Sequence, residues 1–111
     1  MSPAVPGVSE AFSAFLASAP DHAKAWMEAV DGLASASALD EKTRHLVYLG
    51  VLAALRLESG VPFHTGLAKR AGASRAEVVS AILMGLPAAG NAVTQVLPAA
   101  LAAYDREVQA T

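Results

Sequence analysis

Two histidines and one carboxylate are the residues of this 111-residue sequence that are best suited to chemistry. His64 lies between Phe63 and Thr65 at the start of a short predicted helix, and His45 lies near the start of a long apolar one. Glu58 comes shortly before His64. Imidazole and carboxylate groups transfer protons near neutral pH, and they also bind zinc and other divalent ions. The spacing of these three matches no recognised metal motif, so we predict a site with no metal and no other cofactor.

The complete lack of cysteine limits the chemistry further. It excludes disulfides, Cys-ligated zinc, iron–sulfur clusters and a thiol nucleophile. The net charge of −2 argues against nucleic acid or an anionic membrane surface as a partner. We therefore expect neither partner, and the absence of a convincing targeting segment in Met1–Gly7 favours a cytoplasmic location.

The elements that must position these residues are helices, because apolar spacing of the helical kind recurs and alternating strand patterns are absent. The sequence predicts one all-α domain over residues 1–111 with about six helices. The first helix is expected over Ser9–Ser18, and Asp21 is expected to cap the second. Asp40 is expected to cap a third helix that ends near Ser59–Gly60, and the fourth is expected over Val61–Ala71. A capping box of Ser74 and Glu77 is expected to begin the fifth helix, and a sixth is expected over Ala88–Val108 with a kink at Pro98. The third helix is expected to be buried all round, and Trp26 and Met27 are expected in the core.

The segment from Val78 to Tyr104 has no charged residue. Pro87, Pro98 and Gly90 interrupt it, which favours two helices of a soluble protein over a membrane span. Helices that are apolar on nearly all faces need more cover than so short a chain supplies. The pattern therefore predicts a homo-oligomer.

An ordered set of short motifs runs through the second half of the chain. It consists of Leu39–Arg44 at a helix start, then His64, then Gly72–Ser74 with Glu77, and last Ala89–Gly90. This layout resembles the carboxymuconolactone decarboxylase and alkylhydroperoxidase D-like family. The resemblance implies an all-helical fold in which a central helical hairpin forms a trimer or a hexamer, with active sites near subunit contacts around His64.

The resemblance also indicates which chemistry has been lost. In the peroxidase branch two cysteines precede the histidine, and their positions are Leu57 and Gly60 here, while the upstream glutamate position is His45. Thiol peroxidase activity is therefore excluded, because it requires a thiolate and a resolving thiol. In the decarboxylase branch the glutamate position is again Gly60, and a second histidine position is Met84.

The predicted catalytic residues are His64, His45 and Glu58. The family fold would bring His45 close to His64, and neighbouring imidazoles would oppose each other's protonation. We expect a decarboxylase-like protein that binds or acts on a small organic acid or lactone by His-mediated proton transfer. If it is an enzyme, the resemblance implies a decarboxylase-like lyase. Two alternatives stay open: a non-catalytic oligomeric scaffold, and a helical adaptor for a partner protein. A site filled by Leu57, Phe63 and Met84 would favour the scaffold.

Overall fold

The computed structural model describes residues 8–107, and within this range every regular element is a helix. The predicted all-α class is therefore confirmed. The α-helices are α1 (Glu10–Ser18), α2 (Pro20–Ala36), α3 (Glu41–Ala54), α4 (Val61–Arg70), α5 (Arg75–Leu83), α6 (Leu86–Ala89) and α7 (Leu97–Arg106), with 3-10 segments at Glu58–Gly60 and Asn91–Val96. Met1–Gly7 and the predicted helix end at Val108 lie outside the described residues.

Side-chain caps explain where several helices begin. The Asp40 carboxylate accepts a hydrogen bond of 2.8 Å from the backbone N–H of Thr43, which confirms the predicted start of α3. Ser74 and Glu77 form the predicted capping box at the start of α5. The predicted Asp21 cap is wrong, because α2 already begins at Pro20 and Asp21 lies inside its first turn.

The end of α3 differs from the prediction and is important for the site. The helix ends at Ala54 rather than near Ser59–Gly60, because Arg56 adopts a left-handed backbone with φ of 60°. The backbone N–H of Leu57 then donates to the carbonyl of Leu52 at 2.9 Å, which closes the helix as a glycine cap would. The residues released from the helix form the 3-10 segment that leads into α4.

The predicted sixth helix is divided into three pieces. Gly90 has φ of 80°, a left-handed value that stops α6 after one turn, and a 3-10 segment follows it. Pro98 lies in the first turn of α7 and begins that helix instead of kinking a longer one, because a proline there leaves no hydrogen bond unmade.

The core is built around α3, which packs against both α4 and α5, while α7 packs against α4. Leu49 of α3 and Ile82 of α5 are among its largest fully buried side chains. The expectation that α3 is buried all round is wrong for the single chain, since Val47 and Val51 are about half exposed on one face. The first two helices pack mainly against each other and form a hairpin beside this core.

The far end of α7 is held by Lys69 of α4. Its ammonium donates to the carbonyls of Tyr104 and Glu107 at 2.8 Å each and lies 4.4 Å from the centre of the Tyr104 ring. A cation is favourable at the carboxyl end of a helix, where carbonyl groups lack partners. The Tyr104 hydroxyl donates in turn to the carbonyl of Ala73 at 2.8 Å. These contacts fasten α7 to the α4–α5 connection.

Within residues 8–107, no helix is both long enough and apolar enough to cross a bilayer.

A close approach between the backbones of α3 and α5 gives a test with a matched control. A Cβ added at Gly50 of α3 would lie 2.9 Å from the carbonyl oxygen of Ala81 in α5, whereas a Cβ at Gly32 of α2 would meet nothing within 4 Å. Gly50→Ala should lower the free energy of unfolding by about 1–3 kcal/mol, because the two helices must separate. Gly32→Ala should raise it by about 0.5–1 kcal/mol through helix propensity alone. Urea unfolding of both variants measures the difference, and equal effects would argue against tight α3–α5 contact.

Candidate functional site

A cavity of about 330 Å³ lies between the α1–α2 hairpin and the core helices α3 and α4. Its wall is mainly apolar and aromatic, and among the described residues that line it the one basic side chain is the His64 imidazole. The lining residues are Val8, Ser9, Phe12, Trp26, Met27, Val30, Tyr48, Leu52, Ser59, Gly60, Phe63 and His64. The volume lies at the lower end of the range for small-molecule sites.

His64 reaches this cavity from the first turn of α4. Its ring centre is 4.4 Å from that of Tyr48, at an angle of 51°, and 5.4 Å from that of Phe63, which lies nearly edge-on at 83°. The imidazole lies beside the backbone of Gly60, where a Cβ would be in ordinary van der Waals contact with the ring carbon Cδ2 at 3.9 Å. The early end of α3 and the 3-10 segment after it thus bring the imidazole between two aromatic rings.

Burial is the main cause that lowers the pKa of His64, the nearby His45 imidazole is the second, and together they bring it to about 4. The ring is therefore neutral at pH 7. A neutral imidazole accepts a proton through one nitrogen and donates a hydrogen bond through the other. The group is available as a base, but it supplies no positive charge to a ligand.

His45 lies beside the cavity and does not line it. Its side chain is 17% exposed, and its Nε2 atom is 3.8 Å from Oε1 of Glu41, one turn earlier on α3. Burial is the main cause that lowers the pKa of His45, the positive charge of Arg44 adds to it, and Glu41 opposes it. The structure therefore brings the two imidazoles near each other, with only His64 facing the cavity.

Glu58 is the predicted site residue that the structure leaves outside. It begins the exposed 3-10 segment, and the next two residues, Ser59 and Gly60, line the cavity while Glu58 does not. Within residues 8–107 no group of three His, Cys, Asp or Glu side chains is arranged to hold a metal ion. A cluster of His45, His64 and Glu58 is accordingly not assembled.

Two residues that line the cavity, Trp26 and Met27, were expected in the core. Trp26 and Met27 are 56% and 39% exposed, so they are not core residues, and they form part of the cavity wall. Tyr48 of α3 is 45% exposed, and its ring lies against that of His64. The helical spacing of apolar residues in α2 indicates one buried face, but it does not distinguish a face that covers the core from one that covers a cavity.

A second, larger concavity lies on the opposite side of α3. This groove of about 700 Å³ runs between α3 and α5 and is almost wholly apolar. Val47 and Val51 line it from α3, and Met84, which is 77% exposed, lines it just beyond the end of α5.

A comparison with protein-family models matches residues 20–103 to the carboxymuconolactone decarboxylase family. The chain belongs to this family. The predicted resemblance is confirmed, and the match includes His45, Glu58 and His64. It begins at the first residue of α2, so α1 and its N-cap lie outside it, although Ser9 and Phe12 line the cavity. No curated protein and no solved structure matches the chain.

The neutrality of His64 can be measured directly. We expect its Hε1 and Cε1 NMR signals, assigned by their loss in His64→Gln, to stay constant from pH 8 to about pH 5.5 and to titrate near pH 4. In the unfolded chain the same group takes up its proton at about pH 6.5. The free energy of unfolding should therefore fall as the pH drops from about 6.5 towards 4, and His64→Gln should reduce that slope. Titration of the native signal near pH 6.5 would contradict the buried arrangement.

Proposed function

We propose that this protein binds a small organic acid or lactone in the His64 cavity and transfers a proton with the His64 imidazole. The observation that carries this proposal is a neutral imidazole in the wall of an apolar cavity of ligand size. Leu57 and Met84, two of the residues expected to fill a decayed site, are exposed and do not line the cavity. The space beside His64 supports a binding protein or an enzyme better than a closed scaffold.

The chemistry that suits this arrangement is removal of a proton from carbon next to a carbonyl group. The C–H bond breaks, its electron pair enters the enolate, and the proton passes to the free imidazole nitrogen of His64. Tyr48 lies in the same wall, and a tyrosine hydroxyl is suited to donate a hydrogen bond to the oxygen that gains negative charge. Return of the proton from His64 to another carbon or to a leaving group would complete the reaction.

His45 and Glu58 have lesser parts in this proposal. His45 acts as a positioning residue, because any positive charge on it would oppose protonation of His64. Glu58 stays a predicted site residue whose side chain lies in solvent next to Ser59. A thiol-dependent peroxidase reaction is outside the proposal, because the chain has no cysteine.

The proton-transfer role is testable by solvent exchange. With a panel of small lactones and organic acids in D₂O, the protein should accelerate exchange of the protons next to the carbonyl, as followed by NMR. His64→Gln should reduce the acceleration by about 10²–10⁴-fold, because the base is lost. His22→Gln is the matched control, since His22 is exposed at the start of α2 and does not line the cavity. Equal rates for His64→Gln and the unchanged protein would refute the proposal.

The second part of the proposal is self-association into a homotrimer or homohexamer. The observation in its favour is the apolar groove between α3 and α5, with the half-exposed side chains of Val47 and Val51 one helical turn apart. Monomeric proteins rarely expose large contiguous apolar patches. An assembly formed through this groove would also suit the alternative function of a non-catalytic scaffold.

Light scattering coupled to gel filtration tests the groove as the interface. Val51→Glu should convert the assembly to monomers, because an unpaired carboxylate would be buried against apolar groups. Leu33→Glu places the same charge on an exposed apolar residue of α2 that does not line the groove, and should leave the mass unchanged. A monomeric unchanged protein, or dissociation by Leu33→Glu alone, would contradict the assignment.

A further inference from the structure

The His64 cavity contains no fully charged side chain. Residues 1–7 and 108–111 contain no Lys, Arg, Asp or Glu either, and none of these types lines the cavity in the described part of the chain. We infer that the cavity takes an uncharged ring compound with a carbonyl group, such as a lactone, and discriminates against carboxylate ligands. This inference rests on the proposed function and narrows its ligand class from acids and lactones to the neutral member.

The described lining of the cavity offers no counter-ion to a carboxylate. Moving a carboxylate from water into an apolar site costs several kcal/mol unless a cation or several donors replace the water. Arg44 and Arg56 are the arginines closest in sequence to the site residues, and neither lines the cavity. His64 does not substitute for them at neutral pH, because burial keeps its ring uncharged. An acid would lose its hydration without gaining an ion pair.

Several polar side chains of the cavity wall remain able to hydrogen-bond a ligand. The Ser9 hydroxyl already accepts a hydrogen bond of 3.1 Å from the backbone N–H of Phe12. Tyr48, Ser59 and His64 have no side-chain hydrogen bond to another residue in the described part of the chain. Two hydroxyls and one neutral imidazole match a carbonyl or lactone oxygen, which needs one or two donors and no compensating charge.

The aromatic side chains of the cavity wall favour a flat ligand. The side chains of Phe12, Trp26, Tyr48 and Phe63 surround the cavity together with the His64 ring. Aromatic rings pack best against flat or ring-shaped groups through offset and edge contacts. A volume of about 330 Å³ accommodates a one- or two-ring molecule. These features together select a small, flat, neutral carbonyl compound.

A matched pair of compounds tests the charge preference. Phthalide is a neutral aromatic lactone, and 2-(hydroxymethyl)benzoate is the anion formed when its ring is opened by hydroxide. Trp26 is the only tryptophan in the sequence and lies in the cavity wall, so its fluorescence reports binding of either compound without any turnover. At pH 7.5 we expect the dissociation constant of phthalide to be at least tenfold lower. A thermal-shift titration gives an independent measure.

Equal or tighter binding of the anion would overturn the inference, and so would binding of neither compound. Anion binding would indicate that backbone N–H groups at the start of α4 hold a carboxylate. Met27→Lys adds a cation to the partly exposed wall and should shift the ratio of dissociation constants at least tenfold towards the anion. Leu33→Lys adds the same charge on α2 away from the cavity and should leave the ratio unchanged. A Met27→Lys protein with an unchanged ratio would show that neither compound occupies this cavity.

This experiment separates the ligand class from the proton-transfer role. His64→Gln removes the base but leaves the cavity uncharged, so it should retain the preference for phthalide. A failure of the exchange experiment would therefore refute proton transfer without altering the charge preference. A failure of the fluorescence experiment would refute the neutral ligand class while leaving His64 as a candidate base for another ligand.

Discussion

Close packing of α3 against its neighbours is the constraint on which the rest of this structure depends. Gly50 lets the backbone of α3 approach the Ala81 carbonyl of α5 more closely than any larger residue would allow. The side chains of Leu49 and Ile82 are then fully buried between the helices. Because α3 also packs on α4, its position determines where the first turn of α4, and with it the His64 ring, is located. One helix therefore serves the core on one face and the cavity on another.

The site depends equally on a backbone feature that removes residues from this helix. A non-glycine residue rarely adopts a left-handed backbone, which costs about 1–2 kcal/mol. Arg56 does so, and the hydrogen bond from the Leu57 N–H to the Leu52 carbonyl at the end of α3 helps to offset this cost. Had α3 continued to Ser59, the 3-10 segment could not have turned the chain into α4. Strain at one position is in this way coupled to the placement of a functional group.

The sequence was sufficient to predict features that depend on local chemistry. The Asp40 cap, the capping box of Ser74 and Glu77, and the all-α class each follow from residues a few positions apart. The family layout identified His64 as the residue to examine, and the match over residues 20–103 confirms that family. The location of the α3 end was not predictable, because nothing in the residue type of Arg56 favours a positive φ. The sequence also could not show whether Trp26 covers the core or a cavity, because both surroundings favour the same apolar side chain.

One part of the cavity wall lies within the segment that matches the family, and another part precedes that segment. His64, Tyr48 and Leu52 belong to helices within the family match, whereas Phe12 belongs to α1, which precedes it. Substitutions in α1 would disturb the packing of the core little, because this helix packs mainly against α2. The His64 imidazole and the part of the cavity wall that contains Phe12 are thus carried by separate segments. Under the proposed function, substitutions in one short helix would change the ligand preference while the surroundings of the imidazole stay the same.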